Sequence, residues 1–134
     1  MPGAQAQKEF TVNEALARID ALMHPVVEGE ALAVPPGPAA GDCWLVGQGA
    51  AGAFTAQDGR LACFDGTQWT FIDPLPGMVV FDRPTTLLRR FSDGWSRPAT
   101  IAPPAGGATI DTEARQAIVA ILQALEGLSV LRNG

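Results

Sequence analysis

Apolar residues recur at helical spacing near both ends of the chain and gather into short runs between them. Val12, Leu16, Ile19 and Met23 stand four, three and four residues apart, which places them on one face of a helix. Thr11 with Glu14 has the spacing of a reciprocal capping box. Pro25 ends the run, because the residue before a proline is pushed out of helical geometry. The spacing therefore predicts a helix over 11–24. From residue 41 to about 96 the texture changes to runs of Val, Leu, Phe and Trp separated by turn residues. Strands are expected near 43–46, 53–56, 61–64, 69–72, 78–81 and 87–91. Asp58-Gly59 and Asp65-Gly66 are hairpin signals, and loops this short favour antiparallel pairing.

Two stretches rich in proline and glycine interrupt the pattern. Val34-Pro35-Pro36-Gly37-Pro38 reads as a semi-rigid spacer, since prolines remove donors and fix extended dihedrals. Pro103-Pro104-Ala105-Gly106-Gly107 reads as a second linker. The expected fold is mainly β, a small antiparallel meander or sandwich of about six short strands, flanked by an N-terminal and a C-terminal helix. Its parts are a leader and helix (1–24), a spacer (25–40), a β domain (41–97), a linker (98–110) and a heptad-patterned helix (111–131).

The last helix carries the clearest signal. Asp111 is placed to cap it and Glu113 suits its N-terminal turn. Ala114, Ile118, Ile121, Leu125 and Leu128 are spaced four, three, four and three, a narrow stripe of the kind helices bury against one another. Isoleucine at both kinds of core position, Ile118 and Ile121, favours trimers or larger bundles over dimers. A helix packed on its own sheet would show a similar stripe. A small β domain would struggle to cover this stripe together with that of Val12, Leu16, Ile19 and Met23. Homo-oligomerisation through these nine residues is therefore expected, with a trimer favoured.

Composition narrows the partners. Nine Lys and Arg against fourteen Asp and Glu give a formal charge of −5, opposite in sign to what phosphate backbones attract. A nucleic-acid partner is not expected. No stretch reaches the ~20 apolar residues of a membrane span, so membrane insertion is not expected either. The sequence Met-Pro-Gly-Ala-Gln-Ala-Gln-Lys has no signal-peptide core, which points to synthesis in the cytoplasm. There Cys43 and Cys63 read as reduced core thiols, although strand pairing could bring them close enough to bridge.

Catalytic chemistry finds little to build on. His24 is the one histidine, at a helix end before Pro25, where a surface or capping role is expected. No ligand spacing matches a zinc or iron site. Asp42, Asp58, Asp65, Asp73, Asp82 and Asp93 recur through the β region, most of them in turns, where Asp serves backbone geometry. The glycine-rich stretch 47–52 precedes a β run and lacks the Lys-Ser/Thr of a phosphate-binding loop. No catalytic residue, metal ligand or cofactor is assigned, and the chain is not expected to be an enzyme. Trp44 and Trp69 read as core anchors. Trp95, at the edge of the β region, and Trp69 are also candidate glycan contacts, because a tryptophan face can stack on the flat face of a sugar. A carbohydrate-binding module recognising host surface glycans is thus a second expectation.

The segments Gly41-Asp42-Cys43-Trp44-Leu45-Val46-Gly47, Gly52-Ala53-Phe54, Asp58-Gly59-Arg60-Leu61-Ala62, Gly66-Thr67-Gln68-Trp69-Thr70-Phe71 and Pro74-Leu75-Pro76-Gly77 together carry a resemblance. So do Asn13-Glu14-Ala15-Leu16 and Asp111-Thr112-Glu113-Ala114-Arg115. The chain resembles a domain family of unassigned function found in fibre, spike and tail proteins of alphaproteobacterial phages, prophages and gene transfer agents. The likeness extends over roughly residues 10–80 and the last helix. It departs from the pattern at Phe54, where Trp is usual, and at Gln57, where His is common. The resemblance implies a virion structural role in symmetric copies, with other virion proteins as partners and assembly in the host cytoplasm.

Overall fold

The computed structural model describes residues 2–23, 25–97 and 100–133. Among these residues it is a mixed structure of helix and sheet: α1 (Pro2–Met23) and α2 (Thr112–Gly127) accompany nine short strands. These are β1 (Val26–Val27), β2 (Glu30–Ala31), β3 (Cys43–Val46), β4 (Leu61–Phe64), β5 (Trp69–Ile72), β6 (Val79–Asp82), β7 (Leu87–Arg90), β8 (Thr100–Ile101) and β9 (Arg132–Asn133). The expectation of a mainly β fold is corrected to this extent, since helices of 22 and 16 residues outweigh strands of two to four.

The expected meander is present in part. β3, β4 and β5 pair antiparallel in sequence order, and β6 and β7 form a second antiparallel hairpin. Two strands that the sequence pattern did not announce fall in the proline-rich region, and both pair parallel. β1 joins β6 and β2 joins β3, giving sheets ordered β1-β6-β7 and β2-β3-β4-β5. The chain passes from one sheet to the other at Glu28 and Gly29, where Glu28 N donates to Cys43 O and Leu45 N donates to Gly29 O. Gly29 has φ +123°, a conformation L side chains rarely adopt. The proline-rich segment 32–42 is then the crossover that parallel pairing of β2 with β3 requires.

Alternation gives the four-stranded sheet two distinct faces. Cys43, Leu45, Leu61, Cys63 and Ile72 share a buried cluster with Val27 and Val80 of the other sheet. On the opposite face lie Trp44, Val46, Ala62, Trp69 and Phe71, covered by Phe54. The segment 53–56, expected as a strand, is instead a 3₁₀ turn, Gly52–Phe54, that plants Phe54 on this face. Its apolar side chain serves as a lid and gains no strand partner.

Three local expectations change for physical reasons. Cys43 and Cys63 form a disulfide. Register puts them directly opposite on β3 and β4, with Cα atoms 4.1 Å apart. Thr11 does not cap a helix, because α1 already begins at Pro2; the Thr11 hydroxyl donates to Gln7 O, 2.9 Å away. Asp58-Gly59 is not the tip of a two-residue hairpin, because it closes the long connection from β3 to β4. Asp58 accepts from Gly49 N and Ala50 N there, at 2.9 and 3.1 Å. Asp111, in contrast, caps α2 as expected, accepting from Ala114 N at 2.9 Å.

Candidate functional site

The two helices turn their apolar stripes away from the β body. α1 lies beside the edge strand β5, with Glu14, Ala17 and Ala21 half-buried and Ala21 packed on the central cluster. Small residues suit that close approach. The stripe Val12, Leu16, Ile19 and Met23 points elsewhere: Leu16 is 58% and Ile19 56% exposed. α2 behaves similarly. Leu122 is its buried side chain, whereas Ile121 is 59% and Leu128 65% exposed. Ala114 and Ile118 are also exposed, and Leu125 is half-buried. Eight of the nine stripe residues are therefore open to solvent. After α2 the chain docks on β7, with Leu88 N donating to Ser129 O.

The second feature is the aromatic face of the four-stranded sheet. Trp69 meets Phe54 edge-on at 5.0 Å, Trp44 at 5.6 Å and Phe64 at 5.0 Å with a tilt of 39°. These contacts fix its ring while leaving it half-buried. Beside β5 and α1 runs a groove of about 380 Å³, lined by Trp69, Thr70 and Phe71 of the strand and by Phe10, Glu14 and Arg18 of the helix. Gln57, Arg60 and Gln68 complete the border. Trp95 sits elsewhere: its indole N–H donates to Gly59 O at 2.8 Å, its ring meets Phe91 at 5.2 Å, and it packs on the central cluster. The two tryptophans considered as glycan contacts are thus not brought together. His24 lies outside the described residues.

The aspartates mostly hold turns. Asp42 accepts from Ala39 N. The carboxyl of Asp65 lies below the ordinary aspartate range, because backbone N–H groups of Gln68 and Thr67 and the Thr67 hydroxyl donate to it. Asp73 pairs with Arg60 at 2.7 Å. Asp82 is different: it ends β6, is 4% exposed, and faces Arg89, itself 6% exposed. The turn reading of Asp82 is corrected accordingly. Pattern reasoning missed it because Asp82-Arg83-Pro84 resembles a turn, while its partner lies seven residues on, on β7. Among the described residues no group of three His, Cys, Asp or Glu could hold a metal ion. No described helix is long and apolar enough to cross a membrane.

Residues 12–96 match DUF2793, a family of proteins of unknown function. The chain belongs to this family. The DUF2793 match begins inside α1, takes in both main sheets and ends just after Trp95. It therefore includes β6 and β7 and stops short of α2. No curated protein matches the sequence.

Proposed function

We propose that this chain is a structural subunit of a phage-like particle, a tail or head fibre, spike or adaptor component that self-associates and attaches to neighbouring virion proteins. The observation that carries the assembling half is the outward direction of both apolar stripes. A surface helix ordinarily turns its apolar stripe toward its own core. Here α1 gives the body its alanines and leaves Leu16, Ile19 and Met23 in water. Exposed apolar area of this kind is relieved by burial against another chain. A second and third copy of the same stripe is the simplest complement, and Ile118 with Ile121 favours a trimer. The virion half rests on the sequence resemblance to fibre, spike and tail proteins, and the net charge of −5 suits protein partners better than nucleic acid.

Size-exclusion chromatography with multi-angle light scattering tests the assembly. A trimer is expected, and the double variant Leu16→Glu/Ile121→Glu should run as monomer with an unchanged circular dichroism spectrum. A wild-type chain that stays monomeric at its highest soluble concentration would sink the self-associating reading. Mass spectrometry of purified particles from a producing host tests the virion assignment separately.

A further inference from the structure

We propose that the groove between α1 and β5 binds a neutral saccharide, with Trp69 as its stacking platform. The proposal does not depend on oligomerisation, and failure of the assembly reading would leave it standing. Its shape and chemistry point the same way. A pyranose ring is apolar across its C–H face and polar around its perimeter, where hydroxyls radiate in the ring plane. The groove offers both kinds of group: aromatic side chains at Trp69, Phe71 and Phe10, and polar ones at Gln57, Gln68, Arg60, Arg18, Glu14 and Thr70. Its volume of about 380 Å³ lies within the ordinary range of small-molecule sites.

Polar groups of the border are paired with one another or with neighbours. Gln57 Oε1 accepts from Arg60 Nη1 at 2.8 Å, and Arg60 Nε contacts Asp73 Oδ1 at 2.7 Å. Arg18 is paired with Glu14 at 2.9 Å. This pairing links the border side chains to one another, with the small energy that exposed ion pairs carry. It also decides the charge of the ligand: each guanidinium already faces a carboxylate, so the groove offers no surplus cation for a phosphate or sulfate. Trp95 does not line this groove; its N–H donates to Gly59 O and its ring packs on the central cluster.

The test is ¹H–¹⁵N NMR of the full chain titrated with neutral α- and β-linked gluco-, manno- and galacto-oligosaccharides. At least one series should shift the Trp69 indole signal saturably and leave that of Trp95 in place. Gln68→Ala and Arg18→Ala, both at exposed positions, should each weaken that binding roughly three- to tenfold, the worth of one net hydrogen bond, with the remaining spectrum unchanged. No Trp69 response to any series overturns the proposal. So does a Trp69 shift that follows protein concentration and ignores sugar, since that would assign the groove to contacts between copies of this chain.

Discussion

Asp65 shows how one side chain sets a connection. Its Oδ1 accepts from Thr67 N, Thr67 Oγ1 and Gln68 N, each at 2.8 Å, and so organises the turn from β4 to β5. Gly66, at φ +101°, supplies the left-handed residue that the turn requires. All three donors favour the ionised carboxylate, so the folded pKa is depressed. The sign follows from linkage. The stabilisation is complete above the unfolded value of about 3.9 and is lost as pH falls through the lower folded value. An NMR titration should therefore place the Asp65 midpoint below that of an ordinary aspartate. Hydrogen-exchange protection at Gln68 should fall over the same acid window and become insensitive to that window in Asp65→Asn. An ordinary midpoint would show that the turn does not draw on the charge.

At the scale of elements, α2 offers the cleanest test of a local signal. Asp111→Ala removes the acceptor for Ala114 N and should cost about 1 kcal/mol, the usual worth of an N-cap. Thermal unfolding followed at a helical wavelength would read that loss, and an unchanged midpoint would mean that tertiary contacts alone hold the helix. This cap was legible in the sequence because capping is decided within four residues. The strands at 43–46, 61–64 and 69–72 were legible for a related reason: each has apolar runs bounded by turn residues. β1 and β2 were not legible. Two residues cannot display a period of two, and their strand geometry comes from β6 and β3, far away in sequence. The disulfide was hidden in the same way, since register between β3 and β4 decides whether two cysteines face each other. For the candidate sites, the stripe residues were readable from spacing, whereas their outward direction followed only indirectly, from the small size of the β domain. That direction depends on which face of α1 meets β5. Phe10 and Gln68 likewise become neighbours of one groove only once α1 is laid along the sheet.

At the scale of the whole molecule, one guanidinium bridges the two main sheets beside the apolar cluster they share. Arg89 on β7 reaches Asp82 on β6 at 3.5 Å, Glu30 on β2 at 3.1 Å and the carbonyl of Ser96 at 2.9 Å. Glu30 belongs to the four-stranded sheet, so the side chain spans the boundary between the two. Glu30 also receives Arg97 at 2.8 Å, but that arginine is largely exposed and adds little. Asp82 depends on Arg89 more heavily, because its Oδ1 has no hydrogen-bond partner among the described residues and its charge is buried. Arg89→Met should accordingly destabilise the fold by about 3–5 kcal/mol, the cost of leaving one partner of a buried pair uncompensated. Removing the stranded charge as well, in Arg89→Met/Asp82→Leu, should recover most of the loss, because a buried ion pair replaced by apolar groups of similar size is often neutral. Urea unfolding of the two variants beside the wild type measures the difference. If the double variant were as unstable as Arg89→Met, the tie to Glu30 and Ser96 across the two sheets, and not the burial of Asp82, would be what the fold requires of Arg89.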